Sequence, residues 1–171
     1  MGFLKILLAN LRKGPATEAF PFGPAATPDR YRGRVSLDAS RCTGCRLCEH
    51  VCPGGAIRID EDAAGLDITI WHNTCVFCGL CAHYCLSHAI ACTTDWHLAH
   101  AQADKFALAE RTRVAKVPCA RCGKPWLPAS DAVMALAFRQ RTAETEALRR
   151  LCPDCRAKAS IEGGRHVRTH H

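Results

Sequence analysis

Apolar residues recur at helical spacing from the start of the chain. Phe3, Leu4, Leu7, Leu8 and Leu11 share one face, with Ile6 on its flank, and Lys5, Ala9, Arg12 and Lys13 lie opposite. The pattern predicts an amphipathic helix over 3–13, stopped by Gly14-Pro15. The run is too short to span a bilayer, has Lys5 inside it, and is followed by no small-residue cleavage site. It therefore reads as an interfacial anchor or a partner-docking helix, not as a span or a signal peptide. From 14 to 34 the periodicity vanishes. Pro15, Pro21, Pro24 and Pro28 mark an extended linker that orders only against a partner, ending in Tyr31-Arg32-Gly33-Arg34.

Period-two alternation takes over next. Val35–Asp38 predicts a short strand. Ala56–Ile59 and Leu66–Ile70 predict an antiparallel hairpin turning through Asp60–Gly65, and Ile90-Ala91-Cys92 predicts a further strand. Residues 95–116 read as a helix capped by Thr94 or Asp95. It carries His97 and His100, read as solvated or locally bonded and not as ligands. Helical segments follow near 130–138 and 143–151, and the basic tail Arg165–His171 reads as disordered, with no role assigned to its histidines. The fold class is α+β. Five segments are expected: 1–34 helix and docking stretch, 35–94 central domain, 95–118 helical connector, 119–158 a small module, and 159–171 tail.

The cysteines give the central domain its chemistry. Cys42, Cys45, Cys48 and Cys52 follow C-x₂-C-x₂-C-x₃-C, and Cys75, Cys78, Cys81 and Cys85 repeat it at an offset of 33 residues. The repeat extends beyond the sulfurs: Leu47 matches Leu80, His50 His83, Ala56 Ala89 and Ile57 Ile90. This is the spacing of paired [4Fe–4S] clusters, in which the fourth Cys of each run serves the other cluster. Three thiolates on a tight loop reach three corners of one cube, with Gly44 and Gly79 relaxing the backbone, and the fourth approaches from the far side. Cluster one is assigned Cys42, Cys45, Cys48 and Cys85, and cluster two Cys75, Cys78, Cys81 and Cys52. Disulfides fit poorly, because three cysteines are packed so closely and no secretory signal precedes them. Zinc pairs leave the third Cys of each run unexplained. Cys92 falls outside both sets and reads as a small buried apolar residue.

A third constellation lies downstream. Cys119 and Cys122, then Cys152 and Cys155, form two C-x₂-C knuckles 29 residues apart, enough for one tetrahedral thiolate site holding Zn or a rubredoxin-like Fe. No catalytic residue is assigned anywhere. Thiol ligands imply a reducing compartment.

Charge adds direction. Residues 1–34 carry +4, residues 35–95 carry −4 and residues 96–171 carry +7. Two oxidised clusters with their thiolates, at about −2 each, deepen the central segment to about −8. Basic flanks around an acidic electron-transfer centre suit docking to an anionic membrane or to partner subunits. Nucleic acid is disfavoured, since neither aromatic-basic interleaving nor a recognition helix is present.

The cluster runs, the amphipathic start, the Tyr31-Arg32-Gly33-Arg34 lead-in and the distal pairs Cys119/Cys122 and Cys152/Cys155 together resemble the two-cluster ferredoxin subunit of membrane-bound [NiFe] hydrogenases. Formate hydrogenlyase and hydrogenase-4 carry such subunits, which are relatives of the two-cluster subunit of complex I. The resemblance reaches to about residue 158, and the distal pairs favour the hydrogenase branch over the complex I branch. It implies an electron relay between an iron–sulfur donor subunit and the small and large hydrogenase subunits. That relay would sit peripherally on the cytoplasmic face of membrane subunits reached through the N-terminal helix. A complex I-type subunit feeding quinone reduction, a soluble ferredoxin and a zinc-based nucleic-acid adaptor are the competing readings. One departure stands out: Leu86 replaces the Pro that follows the fourth Cys, whereas Pro53 keeps it. The freed N–H at Leu86 is expected to reach a sulfur of cluster one and raise its potential.

Overall fold

A computed structural model describes residues 2–15, 17–18 and 20–162. The tail reading for Arg165–His171 lies outside them. The chain divides into two units, 1–31 and 32–171.

In the first unit, α1 spans Phe3–Lys13, as the apolar periodicity predicts. Gly14 ends it with φ 72°, its N–H returning to the Asn10 carbonyl. Arg12 and Lys13 sit in its last turn, where the helix dipole favours cations. The helix buries none of its side chains, so its leucine face lies open.

The second unit is built around two small antiparallel sheets. Strand β1 (Val35–Leu37) pairs with β4 (Ile90–Cys92), Val35 opposite Cys92 and Leu37 opposite Ile90. Strands β2 (Ile57–Glu61) and β3 (Gly65–Trp71) form the expected hairpin, Ile57 opposite Ile70 and Glu61 opposite Leu66, with the turn shortened to Asp62–Ala64. Leu66, Ile68 and Ile70 alternate inward at 1% exposure and pack with Val35, Ile57, Ile59 and Ile90. Each contributes about 1.5–3 kcal/mol by leaving water. Gly33 and Arg34 extend the first sheet. The Gly33 and Arg34 N–H groups donate to the Thr93 and Asp95 carbonyls at 2.7 Å each. A Cβ on Gly33 would lie 2.1 Å from the Asp95 carbonyl oxygen, so the end of the lead-in is ordered by its own domain and requires glycine there.

The helix expected over 95–116 is absent. A single 3₁₀ turn covers Gln102–Asp104, and β5 (Ala109–Ala115) pairs along the whole of β3, from Gly65 opposite Ala115 to Trp71 opposite Ala109. The residues of β5 are good helix formers. The unpaired edge of β3, left by the hairpin, outweighs that weak local preference. Gly65 permits the approach, since a Cβ there would meet the Val114 carbonyl oxygen at 2.5 Å. Arg113 of β5 pairs with Asp62 and Asp67, tying the strand to the hairpin turn.

The C-terminal part contains the ribbon β6 (Val117–Pro118) and β7 (Pro125–Trp126). Helices α4 (Asp131–Ala137), α5 (Ala143–Arg149) and α6 (Pro153–Glu162) follow. Ser130 caps α4, and Thr142 with Thr145 forms a capping box on α5. Helix α6 runs past the 158 boundary expected for the module. The two four-residue helices α2 (Leu47–His50) and α3 (Leu80–His83) belong to the cysteine loops.

Candidate iron–sulfur and metal centres

The two cysteine loops have the same backbone path. Three residues in each take positive φ, at the same offset of 33: Gly44 (68°) and Phe77 (52°), Arg46 (61°) and Gly79 (79°), Gly55 (57°) and His88 (50°). In every pair one member is glycine and the other is not. The loop therefore needs all six left-handed residues, and three of them bear the side-chain penalty. Sequence reading found Gly44 and Gly79 but missed their partners, because a left-handed Phe, Arg or His leaves no composition signal. Arg46 offsets its strain with bonds to the Ile59 carbonyl (3.1 Å), Glu49 (3.3 Å) and Glu61 (3.2 Å).

After the third cysteine a single helical turn carries the chain to the fourth. There the Ala56 N–H donates to Cys52 Sγ, and the Ala89 N–H to Cys85 Sγ, both at 3.2 Å. Sulfurs that accept N–H bonds are held in the thiolate form that a cluster needs. Cys85 has one more donor, the buried Ser87 hydroxyl at 3.5 Å. Its counterpart is Gly54, where a Cβ would meet the Thr74 carbonyl oxygen at 2.5 Å. The bonds that favour the Cys85 thiolate thus come from Ser87, Ile90 and Ala89, and the Leu86 N–H is not among them. Burial raises the Cys85 thiol, but these bonds together outweigh it and leave the pKa below its ordinary value.

The fold sorts the eight thiols into two groups. Cys48 feels Cys42, Cys45 and Cys85 electrostatically, and burial followed by these neighbours pushes it up to about 12. Cys42 is raised by burial and feels Cys45 and Cys85. Cys75 and Cys81 are raised by burial; Cys75 feels Cys52 and Cys78, and Cys81, reaching about 11, feels Cys75 and Cys52. Cys52, Cys75, Cys78 and Cys81 also line one cavity walled by Val35 and Ile57. So the fourth Cys of each run lies with the first three of the other. Cys42, Cys48, Cys75 and Cys81 resist ionisation unless a cation compensates, and four-iron clusters bound by thiolates do so. The donor set fits the group. Cys92 departs from the sequence reading: it is half-buried on β4, close enough to act on Cys75 and Cys81 and to feel Cys78, a fifth thiol beside the second set.

The C-terminal four converge more tightly. The sulfurs of Cys119, Cys122, Cys152 and Cys155 all lie within 4.8 Å of one another, and Cys122 and Cys152 are 3.7 Å apart. A tetrahedron with metal–sulfur bonds of about 2.3 Å has edges of about 3.8 Å, so these four match one ion and not a cluster. Cys119 leaves the β6–β7 ribbon, while Cys152 and Cys155 stand at the start of α6. The Cys152 N–H donates to Cys119 Sγ at 3.2 Å and lowers that thiol, whereas burial and the neighbouring thiols raise Cys155. Trp126 and Leu151 close the module, with the Arg156 guanidinium 5.4 Å from the Trp126 ring centre. His97 and His100 lie in the extended stretch before β5. His97 contacts Asp95 at 2.8 Å, and His100 the Leu98 carbonyl at 2.7 Å.

Residues 41–90, which hold all eight cysteines of the two loops, match the 4Fe-4S dicluster domain family. Over a much longer stretch the chain is similar to formate hydrogenlyase subunit 6 of Escherichia coli (strain K12), 28% identical over 169 residues that cover 94% of this chain and 93% of that one. NADH-quinone oxidoreductase subunit I 2 of Anaeromyxobacter dehalogenans (strain 2CP-C) is 40% identical over 68 residues, 36% of this chain and 26% of that protein. The F(420)H(2) dehydrogenase subunit I of Methanosarcina mazei is 38% identical over 56 residues, 33% and 32% of the two chains. Among solved structures, a chain of the membrane-bound sulfane sulfur reductase, an archaeal respiratory membrane complex, aligns with a TM-score of 0.47 and 23% identity. It covers 84% of this chain and 73% of that one. The resemblance read from the motifs is therefore found over nearly the full length.

Proposed function

We propose that this protein relays electrons within a membrane-associated complex of the [NiFe] hydrogenase or formate hydrogenlyase type. The observation that carries the reading is the crossed grouping of the eight thiols, on a chain similar to formate hydrogenlyase subunit 6 from end to end. Cys42, Cys45, Cys48 and Cys85 hold cluster one, and Cys75, Cys78, Cys81 and Cys52 hold cluster two. When bound, each [4Fe–4S] cluster accepts and gives up a single electron. The chain's own residues supply the rest: apolar walls that keep water out, N–H groups that steady the sulfurs, and loops that set the two sites side by side. Cys119, Cys122, Cys152 and Cys155 hold one ion, Zn or a rubredoxin-like Fe, in a structural role. An iron–sulfur donor subunit and the hydrogenase small and large subunits are the partners, with α1 meeting the membrane subunits on the cytoplasmic face. The complex I-type reading rests on matches confined to about a third of this chain.

Iron and sulfide analysis with EPR of the reduced protein tests the ligation. Two interacting four-iron signals are expected. Cys52→Ser should damage the cluster of the second run and spare the first. Loss of the first cluster alone would show that the ligands are not crossed. Purification of the intact complex, with an assay for formate-dependent H₂ release, tests the partner assignment.

A further inference from the structure

Each cysteine loop has an arginine over it, but the two arginines come from different places and differ in what neutralises them. In the first loop Arg46 is part of the loop, and its guanidinium is paired with Glu49 (3.3 Å) and Glu61 (3.2 Å). The matching position in the second loop is Gly79. There the side chain arrives from the lead-in instead: Arg32 donates to the Cys78 carbonyl at 2.6 Å, and its Cδ and Nη1 would lie 3.3 and 3.5 Å from a Cβ on Gly79. The glycine makes the room that Arg32 occupies. Arg32 also acts electrostatically on Cys92, the fifth thiol beside the second set. Among the described residues Arg32 has no carboxylate partner.

We propose that Arg32 is a positioning residue for electron transfer that raises the reduction potential of cluster two relative to a loop without it, through an uncompensated positive charge. The proposal rests on the ligand assignment above. Reduction adds one electron, and hence one negative charge, to a cluster enclosed in an apolar cavity. A fixed cation at the loop carbonyl between its second and third ligands favours that state. Arg46 instead belongs to a balanced group, paired with Glu49 and with Glu61, which Lys116 also pairs at 2.7 Å. Arg41, which donates to the Ser87 carbonyl at 3.2 Å, is the cation beside the fourth ligand of cluster one, so the prediction for Arg32 concerns cluster two alone.

EPR-monitored redox titration of the full-length protein provides the test, with Arg32→Gln and Arg32→Lys alongside the unmodified chain. The two cluster signals are first assigned with Cys52→Ser and Cys85→Ser, so an error in ligand assignment appears there and not in the midpoints. In R32Q the reduced-to-oxidised ratio of cluster two at a fixed ambient potential should fall roughly three- to tenfold, tenfold being about 59 mV for a one-electron couple. R32K should retain most of the unmodified value, and cluster one should not move. Raising the salt should narrow the gap between R32Q and the unmodified chain, because the guanidinium is exposed. Arg32→Met, which keeps the stem against Gly79, gives the same reading if R32Q loses its second cluster. An unmoved cluster-two midpoint in both neutral variants overturns the proposal, as does an equal fall at both clusters.

Discussion

Single residues carry the difference between two loops that are otherwise copies. Positive φ is required at three places in each, and His88 is the member that bears the cost with least in return. It is exposed, and its backbone N–H bond to the Cys85 carbonyl survives any substitution except proline. His88→Gly should therefore stabilise the protein by roughly 1 kcal/mol, and Gly55→Ala should destabilise it by a similar amount. Chemical denaturation of both variants with clusters loaded checks the pair, and destabilisation by His88→Gly would contradict it. His72 is a second residue-scale case. It is 2% exposed at the end of β3, with neither ring nitrogen hydrogen-bonded among the described residues. Burial lowers its pKa from the ordinary 6.5, Arg34 adds to the shift, and Glu110 and Asp95 oppose it. The unfolded chain thus binds a proton at this site before the folded one does. Its contribution is intact above about pH 6.5 and declines as pH falls from there toward the lower folded value. His72→Leu should flatten the loss of stability below pH 6.5 while leaving neutral-pH stability equal or higher, as thermal melts across pH 5–8 would show.

Elements show which parts depend on metal and which on apolar packing. The β2–β3–β5 sheet has an aliphatic core of Leu66, Ile68, Ile70 and Val114, against which the cysteines of the cluster loops pack. The C-terminal module does not: among its buried hydrophobic positions are Cys119, Cys152 and Cys155, with Trp126 and Leu151 beside them. Removing one thiolate from a closed tetrahedral site removes much of the energy that folds so small a module. Cys152→Ser should make residues 119–162 susceptible to limited proteolysis and release one equivalent of Zn or Fe, while the cluster absorbance remains. A variant that keeps its metal content and protease resistance would refute the site.

At the scale of the whole molecule, charge and apolar surface are unevenly distributed along the chain. The central segment is acidic before any cluster is added, and the segments on either side are basic. No helix among the described residues is long and apolar enough to cross a membrane. Helix α1 instead presents Phe3, Leu4 and Leu11 at 68–78% exposure. Burying its five face residues would return about 1.5–3 kcal/mol each before ordering costs, with a smaller, salt-sensitive term from Lys5, Arg12 and Lys13. Deleting residues 2–13 should leave both clusters' spectra intact, release the subunit from the membrane fraction and abolish electron transfer to the membrane-bound partner. Normal turnover by the truncated chain in the complex would end the docking reading.

By itself the sequence determined the cluster loops, the hairpin, the amphipathic start and the distal four-cysteine set. Each of these is local: a ligand spacing, a period of two or of 3.6, or a repeat at a constant offset, which needs no knowledge of distant neighbours. Tertiary structure alone decided that Ala109–Ala115 is a strand, because its partner β3 lies some forty residues earlier and outweighs its helix-forming composition. It also decided that Cys92 stands beside the second set and that Arg32 fills the space over Gly79. Those placements depend on where the chain returns in space, and contacts between residues far apart in sequence leave no periodic trace along it.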